Sequence, residues 1–429
     1  MIVANNNSSL TKNTSYKVII PFYGYAALSF LAATLLMFIS SPVFTQHYFH
    51  PQTLAITHLM ALGWGTMMIL GASHQLVPVL IEGKLFSNAL AYLSFSLAAL
   101  GIPLLVYAFY TFSMGSIAQC GAILVNAAVV SYLVNLAISI AKSKKENIHA
   151  VFVFTAVLWL LLTTIVGLLL VYNFTLNILP ENSQYYLSLH AHMGIIGWFL
   201  LMIIGTGSRL IPLFLISKYN KTSLLWLIYI LINTGLLSFI FIFLYSDQIS
   251  FYLLPAATIG TALIMFGYYC YQSYHQRIRK QVDDQMKISL LSVMMMAVPV
   301  VVMVSTIALL LISGQNIKLV LLYGFSIFFG WVTAIIFGMT FKTLPFIVWN
   351  KVYHHKAGLG KTPNPKDLFS SKLFTAMGIA YLAGLILFAT GILISNFFLL
   401  KSGTVFLLIT AVLYNWNVFK VIMHKSKTT

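Results

Sequence analysis

Three of the eleven histidines stand where an imidazole needs a reason to be: His58 near the start of an apolar run at 52–80, and His190 and His192 near the start of another at 185–215. An imidazole in lipid is costly unless it is hydrogen-bonded, paired or metal-bound, so each is a candidate site residue. The competing reading is a ring satisfied by a backbone carbonyl. His190 and His192 are two residues apart, about 200° around a helix, so they face nearly opposite sides and cannot ligate one ion together without distortion.

His192 occupies the position matching His58 in an internal repeat set out below, which makes it the expected partner of His58 across a cavity. His190 then lines a second site behind it. Two imidazoles with no third or fourth ligand in view suit a flat macrocycle, a six-coordinate haem, better than zinc or copper, which normally take more protein ligands. A second metal set, with copper as the candidate ion, is His47, His50 and His58, with Pro51 leaving its geometry open. His74 lies 16 residues beyond His58, roughly 24 Å along a helix, and reads as a polar helix end. His149, His275, His354, His355 and His424 carry no assigned role, and Cys120 and Cys270 read as packing residues.

The elements that must position these rings are transmembrane helices. The chain is 60% hydrophobic and 7% charged, far below the roughly 25% charged residues of soluble proteins. Twelve apolar runs are long enough to cross a bilayer: 17–40, 52–80, 87–110, 114–141, 148–172, 185–215, 222–245, 250–275, 287–313, 318–348, 371–396 and 401–423. With the amino terminus cytoplasmic, 22 of the 24 Lys and Arg fall inside and only Lys318 and Lys401 outside. That split predicts both termini cytoplasmic in a bacterial inner membrane. The net charge of +17 is therefore a topology signal with anionic lipid as the neighbour, and no nucleic-acid partner is implied. The first run is too long for a signal-peptide core.

The second run read from His58, HLMALGWGTMMILGASHQLVPVL, aligns without a gap on the sixth read from His192, HMGIIGWFLLMIIGTGSRLIPLF, at an offset of 134. The tenth continues the series from Phe325, FSIFFGWVTAIIFGMTFKTLPFI, at a further 133. Paired glycines eight residues apart allow close helix approach, and the shared proline is expected to break or kink each helix near its inner end. The expected fold is an all-α integral membrane domain, 1–429, of twelve transmembrane helices in three parallel four-helix repeats at 17–141, 148–275 and 287–423. A basic cytoplasmic loop is expected at 349–370. The third copy has Phe325 where the others have histidine.

Twelve spans in threefold repetition, a histidine in the outer half of the second span and an H-x-H together resemble the haem-copper oxidase subunit I superfamily. The resemblance implies a low-spin haem held by histidines from two spans, with a second haem and a copper ion across the H-x-H helix. Carried over, His58 matches the second-span ligand, while His190 and His192 form the H-x-H on the sixth span instead of the tenth. The departures are Phe325 in the tenth span, no histidine-to-tyrosine motif in the sixth and no histidine pair in the seventh. No Asp or Glu falls inside a span to line a proton channel, so a proton-pumping oxygen reductase is not expected.

A shorter likeness, His58 with Gly63 and His192 with Gly197, is similar to the NnrS family of haem- and copper-containing membrane proteins. These resemblances imply a haem-binding protein of respiratory electron transfer or of O2- or NO-related redox chemistry, an oxidoreductase or its accessory. The haem would be of b type and copper a further cofactor, with an electron-donor protein or other respiratory membrane subunits as partners. Two other classes stay open: a haem- or copper-handling assembly factor, and a multi-span transporter. Parallel repeats, the lack of a charged residue mid-span and of an obvious broken helix count against the transporter.

Overall fold

The computed structural model describes residues 14–81, 83–143, 147–278, 280–312, 314, 317–354 and 362–426. Among the described residues twelve helices are long and apolar enough to cross a membrane: α1 Tyr16–Ile39, α2 Pro51–Leu80, α3 Asn88–Thr111, α4 Ser116–Ala141, α5 Ile148–Leu176, α6 Leu187–Leu215, α7 Thr222–Tyr245, α8 Ile249–His275, α9 Asp284–Ile312, α10 Ile317–Tyr353, α11 Ser371–Ile394 and α12 Phe397–Ile422. This is an all-helical integral membrane protein. Among the described residues it holds no β-strand, only an isolated bridge between Ser217 and Arg277.

Where the helices begin follows from their caps. Ser15, Ser87, Asn147, Asp283, Ser370 and Asn396 each accept a first-turn backbone N–H with the side chain, opening α1, α3, α5, α9, α11 and α12. Such caps satisfy amides that have no partner within the helix.

Three helices form the centre. The most apolar windows of α2, α6 and α10 are 72%, 61% and 78% buried, against 22–50% for the others, which face lipid. Each central helix contains a π-helical stretch, Leu59–Thr66, Met193–Leu200 and Ser326–Val332, covering the matching part of the sequence repeat.

The glycines at matching positions act alike: a Cβ on Gly71, Gly205 or Gly338 would run into Phe22 on α1, Phe152 on α5 or Ser289 on α9, so α2 lies flush against α1, α6 against α5 and α10 against α9. Tyr132 on α4 donates to Ser73 Oγ, Tyr269 on α8 to the Ser208 carbonyl and Tyr414 on α12 to Thr340 Oγ1. Between central helices, Trp198 Nε1 donates to Thr66 Oγ1 and Trp64 Nε1 to Thr333 Oγ1, both at 3.0 Å. Leu200 stands where the third hydroxyl would be.

The shared prolines lie in the last turn of α2, which ends at Leu80, and of α6, which ends at Leu215, as expected; α10 departs, continuing eight residues past Pro345 to Tyr353. The inner loop expected at 349–370 therefore begins inside α10, and it contains a short turn at Pro365–Leu368. Its residues 355–361 lie outside the described residues, as do Lys12, Lys144, Lys145, Arg279 and Lys427 of the charge count.

Candidate metal site

His58 is the last residue of the α-helical opening of α2, immediately before the π-helical stretch. Its Nδ1 lies 2.8 Å from the Leu54 carbonyl one turn earlier. A carbonyl only accepts, so Nδ1 carries the proton and Nε2 keeps its lone pair.

His190 reaches the same state by a different route, because its Nδ1 lies 3.1 Å from the carbonyl of Thr163 on the neighbouring α5. Gly167 makes that approach possible. A Cβ there would sit 2.9 Å from His190 Cε1, so any side chain would push the ring off α5.

The two rings face each other, with centroids 6.2 Å apart and planes 19° from parallel. Two metal–nitrogen bonds of about 2.0–2.1 Å, with roughly one further ångström from each nitrogen to its ring centre, give a span of about 6 Å. The separation of the ring centres matches that span, and because each lone pair lies in its ring plane, sharing one ion requires the two Nε2 edges to turn toward it.

The cavity holding them lies among α2, α3, α4, α5 and α6. Beside the two histidines it is walled by Leu62, Phe109, Asn126 and Phe199, with Trp198 and Thr66 closing its deep end through their hydrogen bond. Its free space is about 150 Å³ within a void of about 940 Å³ that includes the mouth. That space admits a bare ion as it stands, and a macrocycle would need the walls to part. The donor chemistry of two imidazoles fits a haem iron. Leu54 and Thr163 would orient the ligands as second partners of the rings.

The expected partnership of His58 with His192 is not the one observed. His192 turns the other way, its Nδ1 2.7 Å from the Ser188 carbonyl and its ring 4.7 Å from Phe239 on α7 and 5.7 Å from Tyr323 on α10. The reason is rotational. His58 lies 4.3 Å from Phe109 on α3, and Phe325 lies 4.7 Å from Phe388 on α11, so matching positions look into successive compartments of the bundle, each against the third helix of its own four. Residues related in this way do not face one another. His190, half a helical turn away from His192 in direction, looks back toward α2.

The copper set also separates. Among the described residues no three His, Cys, Asp or Glu side chains converge as a metal cluster. His47 Nδ1 accepts the Phe49 N–H and its ring lies over Tyr48, whereas His50 precedes the first turn of α2, two turns before His58.

His74 is a buried core residue rather than a polar helix end: it is 1% exposed and lies between Phe22 and Tyr132, with Nδ1 on the Leu70 carbonyl. Gly167 is the single glycine of α5, but nothing around it in the sequence marks it as clearance for a ring on α6. Thr163 carried no signal, since its carbonyl is what acts.

Neither a protein-family model nor a curated protein matches this sequence.

Proposed function

We propose that this chain is a haem-binding protein of a bacterial inner membrane, both termini cytoplasmic, serving respiratory electron transfer or O2- or NO-related redox chemistry. His58 and His190 are the residues that would hold the haem. The observation that carries this reading is two neighbouring imidazoles from different helices, each with Nδ1 on a backbone carbonyl, so that Nε2 is the nitrogen left to ligate, and with ring centres 6.2 Å apart. The likeness to the haem-copper oxidase subunit I superfamily in span number and histidine placement supports haem as the group that brings the ion. A haem supplies reversible one-electron chemistry at its iron.

The chain's own residues do the rest. The Leu54 and Thr163 carbonyls hold each ring in its ligating tautomer. Phe109, Leu62 and Phe199 give the cavity an apolar wall, and the Trp198–Thr66 bond closes the end away from the histidines. A haem held by both imidazoles would supply electron transfer rather than gas binding. His192, beside Tyr323, is left for a separate compartment.

A second reading keeps the same pair but loads it with a bare copper ion in transit to another protein. The roughly 150 Å³ of free space favours it, being ample for an ion.

Visible spectra of the purified chain, oxidised and dithionite-reduced, together with its iron and copper content, test both. Soret and α bands are expected, lost in His58→Ala and in His190→Ala and kept in His192→Ala. No bands after expression with ample haem would sink the haem reading, and stoichiometric copper in the same preparation would establish the second. Bands that survive both His58→Ala and His190→Ala would sink the ligand assignment.

A further inference from the structure

A second cavity lies on the axis between α2, α6 and α10, beyond the tryptophan layer as seen from the histidines, and no residue lines both. Fifteen of its sixteen lining residues fall into five triplets separated by the repeat offsets of 134 and 133. The triplets run from Met68, Met202 and Ile335 at one end to Leu76, Leu210 and Thr343 at the other. Three helices that meet at matching positions along two turns leave a shaft between them.

The shaft is chemically blank. No charged side chain lines it, and every hydroxyl that does already donates its proton. Ser73 donates to the Leu70 carbonyl, Thr206 to Met202, Thr343 to Met339 and Thr340 to Met68 Sδ, and Tyr23 OH is paired with Thr343 Oγ1. Two of those oxygens also accept from Tyr132 and Tyr414. A buried water needs two to four polar partners, whereas apolar cavities stay dry and take up apolar guests. The volume is about 80 Å³, roughly half that of the engineered cavity of about 150 Å³ that binds benzene or xenon.

We propose that this axial cavity is a binding site for a small neutral apolar molecule, of the size of a diatomic gas or a xenon atom. Anions are rejected because nothing there offers positive charge or a free donor, and cations because no carboxylate faces the shaft and its few hydroxyl oxygens carry no charge. The site does not depend on what His58 and His190 hold.

Crystals of the full chain pressurised with xenon test it through anomalous density. A peak is expected on the axis between the Met68 and Leu76 layers, reduced at least fivefold in Ala72→Leu, which fills the shaft. Thr206→Val, equal in shape and lacking the hydroxyl, should keep the xenon. No axial peak in the unaltered chain, ordered water in the shaft, or loss of the guest in Thr206→Val would each overturn the proposal. The Thr206→Val result stands whether or not Ala72→Leu folds.

Discussion

Replacing Gly167 by alanine tests the candidate site through a residue that touches no ligand. The added methyl would sit 2.9 Å from His190 Cε1, at least about half an ångström inside an ordinary carbon–carbon contact of roughly 3.5 Å. The backbone of α5 cannot yield, so the ring must retreat toward His58. The hydrogen bond from His190 Nδ1 to the Thr163 carbonyl is 3.1 Å long, and a retreat of that size takes it to about 3.6 Å, where it no longer counts as a bond.

Losing a hydrogen bond of this kind costs about 0.5–1.5 kcal/mol, a factor of roughly two to ten in occupancy. The same movement narrows the 6.2 Å separation of the rings, which adds to the loss. Haem or metal retention during dilution, followed by the absorbance of the purified chain, should therefore fall about three- to tenfold in Gly167→Ala with helix content unchanged. Gly194→Ala is the matched control, because its Cβ would meet only Thr163 Cγ2, at 3.2 Å. Retention in Gly167→Ala equal to that of the unaltered chain, with His190→Ala losing the group, would refute the clearance reasoning while leaving the ligand standing.

Other expectations follow from the packing. Thr66→Val removes the acceptor of the Trp198 hydrogen bond and should cost roughly 0.6–1.7 kcal/mol, the range for hydrogen bonds between membrane helices, read as a lower unfolding midpoint in detergent. Gly71→Val drives a side chain into Phe22 and should cut the yield of monodisperse protein severalfold. Asp283 both caps α9, by accepting the Met286 N–H, and pairs with Lys342 of α10. Asp283→Ala should therefore destabilise more than Lys342→Met in thermal unfolding, since it removes the cap and strands the half-buried cation of Lys342.

The spans were legible in the sequence because a helix in lipid must be apolar along about twenty residues whatever its neighbours do. Their ends moved by only a few residues, save for α10, whose polar final turns past Pro345 read as loop. The histidine compartment was half legible. His58 and the H-x-H stood out by type, but which ring faces His58 depends on how α6 is rotated about its own axis. Equivalence between His58 and His192 pointed the wrong way, because rotation carries matched residues into successive compartments. Gly167 and the Thr163 carbonyl show the remaining limit: one acts by lacking atoms and the other through its backbone, and neither has a side-chain signature.

The tryptophan–threonine bonds make α2 the hub of the centre, for it accepts from α6 through Thr66 and donates to α10 through Trp64. During synthesis the amino-terminal elements are placed first. The helix to which both later ones bond is thus already in the bilayer when each arrives, and neither α6 nor α10 has to wait for the other. A chain interrupted after α8 should hold α6 against α2 in a protease-resistant core, whereas one carrying Trp64→Phe with Thr66→Val should lose that early resistance and reach the mature fold more slowly.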